Sequence, residues 1–234
     1  MRLLWITVLF FLGYLLSKRL RHEKKIETFM EFIHIPKNAG STIEHLAIEK
    51  DIRWGRFKPE HRDFLDEYAC SYWHVPPKHF KSGNFYQNSE DNFCVIRNPL
   101  SRIISEYAYQ HSNEHHKNNA NDLNEWIEKV LTDNDLDTSF QGGSDCHLLP
   151  QHNYIYDDLN DVQTCTHLLR FEHLEEDFND LMKKEKYDLK LSKKDNVSKF
   201  DLTEADITAA NKARIRKIYA RDFELWYKNK DKRT

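Results

Sequence analysis

Two apolar segments, each followed at once by a polar turn and a helical pattern, most constrain how this chain folds. The first is 29–35, which runs into the turn 36–42, with sequence PKNAGST. The second is 91–96, which runs into 97–99 and then into a helical pattern over 100–111. Strands that alternate with helices in this way predict an α/β domain with a mostly parallel sheet.

The remaining apolar periodicities continue this alternation. They predict strands over 68–75 and 166–171, and helices over 122–131, 174–186 and 204–227. Thr203 is the expected N-cap of the last helix. Residues 132–153 have the composition of a loop.

The charge of the chain is unevenly distributed. Residues 1–25 carry six basic residues and one acidic residue, and the rest keeps 29 of the 35 basic and 37 of the 38 acidic residues. The body is therefore acidic. No basic field of the kind that binds nucleic acid covers the protein, so we expect no nucleic-acid partner.

The N-terminus has the pattern of a membrane anchor. Residues 3–16 form an uncharged run of 14, shorter than the roughly 20 residues that cross a bilayer core. Basic residues and no small-residue cleavage site follow, which favours an uncleaved signal anchor over a cleaved signal peptide or a buried helix. We expect an anchor at 1–17, a stem at 18–28 and a single domain at 29–229. The basic flank, taken alone, favours a cytosolic body.

Both turns have features of phosphate sites. The small residues of 36–42 place backbone N–H groups at a helix N-terminus, Ser41 and Thr42 add hydroxyls, and Lys37 adds a mobile charge. The order differs from the ATP-binding pattern, in which Lys follows the glycines. Arg97 leaves a predicted strand at its carboxyl end, and Ser105 lies two helical turns further on. Each turn alone also fits an ordinary strand-to-helix connection.

Together, FIHIPKNAGST and FCVIRNPLSRIISEY resemble the paired motifs of sulfotransferases that use 3′-phosphoadenylyl sulfate (PAPS). The His-Ile-Pro-Lys form resembles the membrane-bound Golgi carbohydrate branch of heparan, chondroitin and uronyl type. So does LLRFEHLEEDF at 168–178, and the resemblance covers about 30–228. It implies a P-loop-like three-layer sandwich, with a central, mostly parallel sheet between helices, behind the N-terminal membrane-anchor helix.

The resemblance implies a PAPS site without a metal. Its cofactor-binding residues would be Lys37, Asn38, Ala39, Gly40, Ser41, Thr42, Arg97 and Ser105. Lys37 would also be catalytic, because it would stabilise charge on the leaving oxygen. The run at 38–41 departs from the commoner Thr-Gly-Gly-Thr but keeps its small and hydroxyl character.

A general base would help a hydroxyl acceptor to react. His74 ends a predicted strand between the two motifs and resembles the base of several sulfotransferases of uronic acids and hexosamines. The alternative is a packing role beside Trp73, and His34 is expected to be structural. Weaker candidates for the base are His79, Glu44 and Glu106.

The cysteines and one sequon give information about the cellular compartment of the domain. The resemblance implies a Cys146–Cys165 disulfide in the Golgi lumen, whereas Cys70 and Cys94 lie in predicted strands and are expected to be buried thiols. Asn196 begins an N-glycosylation sequon.

The expected function is transfer of a sulfuryl group from PAPS to a hydroxyl of a glycan or proteoglycan. We expect a single-pass type II Golgi membrane protein with a luminal domain, against the charge rule for the flank. Alternatives are an inactive membrane-anchored binding module and a tyrosylprotein sulfotransferase. A kinase is disfavoured because the Gly-Lys-Ser/Thr order is missing.

Overall fold

A three-stranded parallel sheet lies at the centre of the structure, which is a computed structural model. The strands, in chain order, are β1 (Glu31–Ile33), β2 (Asn92–Ile96), the short antiparallel pair β3 (Tyr156–Asp157) and β4 (Val162–Gln163), and β5 (His167–Arg170). The central sheet has the order β1-β2-β5. The structure describes residues 30–66, 70–89, 91–131, 145–157, 162–192 and 200–229.

Helices cover both faces of this sheet. They are α1 (Gly40–Ile48), α2 (Phe85–Asn88), α3 (Pro99–Gln110), α4 (Ala120–Val130), α5 (His152–Ile155), α6 (Leu174–Lys184), α7 (Ala209–Ile218) and α8 (Ala220–Asn229). Short 3-10 turns lie among them, at Gly55–Phe57, Pro59–Phe64, Tyr72–His74, Pro77–His79, His115–Lys117, Phe171–His173 and Glu204–Asp206.

Alternate residues of the strands pack into two different apolar clusters. Phe32 and Phe93 lie with Phe178 of α6, whereas Ile33 and Ile96 lie with Leu225 of α8. Strands buried on both faces read as largely apolar runs, and 29–35 and 91–96 are apolar except for Glu31, His34, Asp91 and Asn92. The predicted α/β domain with a parallel sheet flanked by helices is confirmed.

Two predicted elements are wrong. Within 68–75, the described part is not a strand but the 3-10 turn Tyr72–His74, followed by Pro76 and Pro77. Pro76 and Pro77 have no N–H to donate to a sheet ladder, so the segment does not continue into a strand. Tyr72 and Val75 are buried without strand pairing.

The predicted final helix is divided. Thr203 does act as a cap, but of the short turn Glu204–Asp206, with which it forms a capping box. A second cap, Thr208, accepts from the backbone N–H of Asn211 and starts α7. Each Thr satisfies the N–H groups of a new helical segment, so the chain changes direction between them.

The cysteines pair differently from the expectation. The disulfides are Cys70–Cys146 and Cys94–Cys165, with Cα–Cα distances of 5.7 and 6.0 Å. The predicted Cys146–Cys165 bond and the free thiols at Cys70 and Cys94 are wrong. The reason is the sheet register: β2 and β5 are neighbours, which brings Cys94 close to Cys165, two residues before β5.

Several predictions made from the sequence lie outside the described residues. These are the anchor at 1–17, the stem at 18–28 and the sequon at Asn196. Among the helices that the structure describes, none combines the length and the apolar character needed to cross a membrane.

The disulfide pairing can be checked directly. Non-reducing peptide mapping should recover Cys70–Cys146 and Cys94–Cys165, and a Cys146–Cys165 peptide would contradict the structure. The double variant Cys94→Ala/Cys165→Ala should lower the free energy of unfolding by about 2–5 kcal/mol, because the bond closes a long loop in the unfolded chain. Chemical denaturation of the variant and the parent protein measures the difference.

Candidate active site

A cavity of about 1390 Å³ is lined by residues that follow the carboxyl ends of β1 and β2. This is the place where open α/β sheets bind ligands. Of the nine residues predicted for the site, eight line the cavity: Lys37, Ala39, Gly40, Ser41, Thr42, His74, Arg97 and Ser105.

The turn before α1 has an unusual backbone. Lys37 and Ala39 both have positive φ angles, 69° and 67°. Ala39 is the N-cap of α1, and no side chain caps the helix. The first N–H groups of an uncapped helix are available to an anion, and the positive end of the helix dipole favours one.

Gly40 is required by the contact with His34. A Cβ at Gly40 would lie 2.2 Å from His34 Nε2. His34 Nδ1 lies 2.6 Å from Glu44 Oε1, and Glu44 also accepts from Arg56 Nε at 2.9 Å. His34 is therefore structural, as expected, because it fixes the first turn of α1. Glu44 is fully committed to this network and is not placed as a base.

Lys37 lies among aromatic, acidic and basic side chains that act on its charge. Its Nζ lies 3.8 Å from the centre of the Tyr109 ring and 3.9 Å from Glu106 Oε2. Burial lowers the pKa of Lys37 to about 8, although Glu106 acts in the opposite direction; Arg97 and Arg102 lower the pKa further. Lys37 is still mostly protonated at neutral pH.

Arg97 lies on the same side of the cavity. Its Nε donates to Ser101 Oγ at 2.9 Å, and its Nη1 donates to the backbone oxygen of Lys37 at 3.0 Å. The guanidinium carbon lies 3.9 Å from the centre of the Phe171 ring. Burial lowers the pKa of Arg97 to about 10, so the guanidinium stays charged near neutrality.

Asn38 is the exception among the predicted residues. Its side chain is buried away from the cavity and donates to Val95 O at 2.6 Å and to Gln151 Oε1 at 2.7 Å. Gln151 Oε1 also accepts from Arg97 N, and its Nε2 donates to Arg97 O, both at 2.9 Å. Gln151 thus joins the two turns, a role that no local sequence pattern indicates.

His74 is paired with an acidic residue. Its Nδ1 lies 2.9 Å from Asp145 Oδ2, and Asp145 also accepts from the Ser71 hydroxyl at 3.0 Å. Burial lowers the pKa of His74 to about 4, against the raising effect of Asp145. Burial by itself raises the pKa of Asp145, but the hydrogen bonds from His74 and Ser71 lower it to about 2. His74 is therefore neutral at pH 7, the form that accepts a proton.

A second histidine–carboxylate pair lies beside the first. His147 Nδ1 lies 2.7 Å from Glu106 Oε2, and the His147 and His74 rings are 4.8 Å apart. Sequence reasoning missed both Asp145 and His147. The Cys70–Cys146 disulfide brings their segment to His74, so the correct cysteine pairing was the signal that pointed to them.

Arg102 holds the backbone around both pairs. Its guanidinium donates to the backbone oxygens of Pro36, Leu149 and His147 at 3.0, 2.9 and 2.8 Å. These bonds connect the residue before Lys37 to the segment that carries His147. Arg102 lies within the second motif, FCVIRNPLSRIISEY, whereas Gln151 lies in neither motif.

The ligand atoms of His74, Asp145 and His147 lie within 4.8 Å of one another, the one such group of three in the part of the chain that the structure describes. Such a group can hold a metal ion. Here Asp145 Oδ2 is already engaged by His74 Nδ1, and Lys37, whose Nζ lies 3.9 Å from Glu106 Oε2, adds a positive charge that opposes a cation. The arrangement is better suited to accepting a proton.

The profile described as "Sulfotransferase family" matches residues 26–228. The chain belongs to the sulfotransferase family. The matched range contains both turns, His74 and the His147 segment, so the whole cavity of this sulfotransferase lies within the family domain. Neither the curated proteins nor the solved structures that were compared gave a match.

Two neighbouring substitutions in the turn should change the free energy of unfolding in opposite directions. Ala39→Gly should raise the free energy of unfolding by about 1 kcal/mol, because the left-handed conformation disfavours a Cβ. Gly40→Ala should lower it by about 1–3 kcal/mol, because the new methyl group overlaps the His34 ring. Chemical denaturation of both variants beside the parent protein measures the two changes. Equal stabilities would show that the turn has another conformation.

Proposed function

We propose that this sulfotransferase transfers a sulfuryl group from PAPS to a hydroxyl of a carbohydrate, with His74 as the general base. The observation that carries the proposal is one cavity. It joins an uncapped helix N-terminus, two half-buried cations and a neutral histidine held by a carboxylate.

The residues present fit the PAPS donor. Its phosphosulfate suits the N-terminus of α1 with Lys37, and its 3′-phosphate suits Arg97 and Ser105. When bound, PAPS supplies an activated sulfuryl group on a phosphate leaving group. Lys37 would place a positive charge at the leaving oxygen, and the backbone N–H groups of α1 would orient the anion.

The His74–Asp145 pair fits the acceptor side of the reaction. Donation from Nδ1–H to Asp145 fixes the tautomer and leaves Nε2 as the proton acceptor. As the acceptor hydroxyl loses its proton, the imidazole becomes positive, and Asp145 stabilises that charge. The same carboxylate is anchored by Ser71, so the ring keeps its orientation.

Aromatic walls support a carbohydrate acceptor. Trp73 and Tyr109 line the cavity together with His74 and His147, and the Tyr109 side chain is 59% exposed. An exposed aromatic face can stack on a sugar ring while the histidines accept bonds from its hydroxyls. A glycan or proteoglycan is therefore the acceptor that we propose.

Two disulfides support an oxidising compartment. With the apolar run at 3–16 and the resemblance to the Golgi branch, they support a type II membrane protein of the Golgi with a luminal domain. This location is also where PAPS-dependent modification of glycans would meet its acceptors.

Two variants should distinguish donor binding from sulfuryl transfer. In calorimetric titration with adenosine 3′,5′-bisphosphate, Arg97→Ala should weaken binding by about 10- to 100-fold, because a charged hydrogen-bond donor is lost. His74→Ala should bind normally but transfer sulfate from labelled PAPS to glycans about 10²–10⁴-fold more slowly. Arg53→Ala removes an exposed arginine that pairs with Glu60 and is the matched control.

Each outcome decides a different part of the proposal. No binding by the folded parent protein would reject PAPS-dependent catalysis and favour a binding module. Full turnover by His74→Ala would remove His74 from the mechanism. Sulfation of tyrosine peptides, with none of glycans, would reject the carbohydrate acceptor.

The pH profile of kcat/KM should be bell-shaped. Below about pH 4 His74 becomes protonated and no longer accepts a proton, so activity falls with pH. Above about pH 8 Lys37 loses its charge, so activity falls as pH rises. In Lys37→Arg the alkaline limb should disappear while the acid limb stays. An alkaline limb that persists in this variant would assign it to another group.

A further inference from the structure

Glu106 is a buried carboxylate that the proposed reaction does not yet use. It lies on α3 and is 1% exposed. Its Oε1 accepts from Gln110 Nε2 at 2.7 Å. Its Oε2 lies 2.7 Å from His147 Nδ1 and 3.9 Å from Lys37 Nζ. A single oxygen therefore faces both a residue of the donor site and a histidine of the acceptor side.

Two of these side chains, Lys37 and His147, also share a neighbour, Tyr109. Lys37 lies over the Tyr109 ring, and the Tyr109 and His147 rings are 5.4 Å apart. A buried carboxylate costs several kcal/mol in lost hydration unless its partners are well placed. The side chains around Glu106 supply such partners from both sides of the cavity.

We propose that Glu106 is a positioning residue of the transfer site, which fixes Lys37 on the donor side and His147 on the acceptor side through one buried carboxylate. The proposal rests on the proposed function, in which Lys37 faces the donor. It adds a connection between the two halves of the site.

His147 gains a defined role through this contact. Because Nδ1 is directed to Glu106, Nε2 is left to accept a hydrogen bond, as in His74. Arg102 binds the backbone of His147 and of Pro36, the residue before Lys37. Glu106 thus connects Lys37 and His147 through their side chains, and Arg102 connects the same two segments through backbone oxygens.

The charge of Lys37 should depend on Glu106. The charged groups that act on Lys37 are Glu106 and Arg102 of α3 and Arg97 at the end of β2, and the Tyr109 ring lies beside it. Glu106 is the one anion among them. If Glu106 loses its charge, the remaining influences on Lys37 are its burial and the two arginines. All of these lower the pKa of Lys37.

The test is a pH titration of Lys37 by NMR in the full-length chain with ¹³C-labelled lysine, with Lys37→Arg to identify the signal. The parent midpoint should lie near pH 8. In Glu106→Gln, which keeps the shape of the side chain, the midpoint should fall by about one pH unit or more. Glu114→Gln removes a carboxylate that pairs with His111 and is the matched control, with no shift expected.

An unchanged midpoint in folded Glu106→Gln would overturn the proposal. Should that variant fail to fold, Glu106→Asp keeps the charge but shortens the reach, and a midpoint equal to that of the parent would overturn the proposal equally. The alkaline limb of kcat/KM should move with the titration, which a purely structural role would not produce. Because the titration needs no turnover, failure of nucleotide binding or transfer would reject the proposed function separately.

Discussion

The side-chain amide of Gln151 holds the turn at 36–42 and the turn at 97–99 at a fixed separation. Its oxygen accepts from both Asn38 and the backbone N–H of Arg97, and its nitrogen donates to the Arg97 carbonyl. An amide that makes all three bonds while buried leaves little freedom to either turn. The positions of Lys37 and Arg97, the two cations of the proposed donor site, follow from this contact.

Support for the amide comes from the far end of the chain. Asp222 of α8 accepts from the backbone N–H groups of Gln151 and His152 at 2.7 and 2.9 Å, and from His152 Nδ1 at 3.0 Å. The C-terminal helix therefore fixes the start of α5, and α5 fixes the turns. The two turns lie in the first half of the family domain but depend on a carboxylate in its last helix, so truncation before α8 would disturb the cavity from a distance.

Local features of the sequence predicted the two turns of the site, because each turn is built from residues adjacent in the chain. The strand–turn–helix order, the small residues at 38–42 and Arg97 at a strand end indicated two turns whose predicted residues, apart from Asn38, line one cavity, and the family resemblance added His74. The parts that sequence could not give are contacts between segments far apart in the chain. Asp145 and His147 reach His74 through the Cys70–Cys146 disulfide, which joins two segments outside the sheet, and Asn38 turns inward because Gln151 lies behind it. Neither fact has a signature at fixed spacing.

Burial places the two cations of the cavity, Lys37 and Arg97, in an unfavourable state, and this has a functional consequence. Burial lowers the pKa of both Lys37 and Arg97, and Glu106 offsets only part of the effect on Lys37. An anion bound at the turn would supply the missing negative charge and raise the pKa of Lys37 again. Near pH 8, anion binding would thus be coupled to proton uptake by Lys37. The left-handed backbone at Lys37 and Ala39, together with the Gln151 and Arg102 contacts, holds these groups in place before the ligand arrives, so that the ordering cost is met during folding.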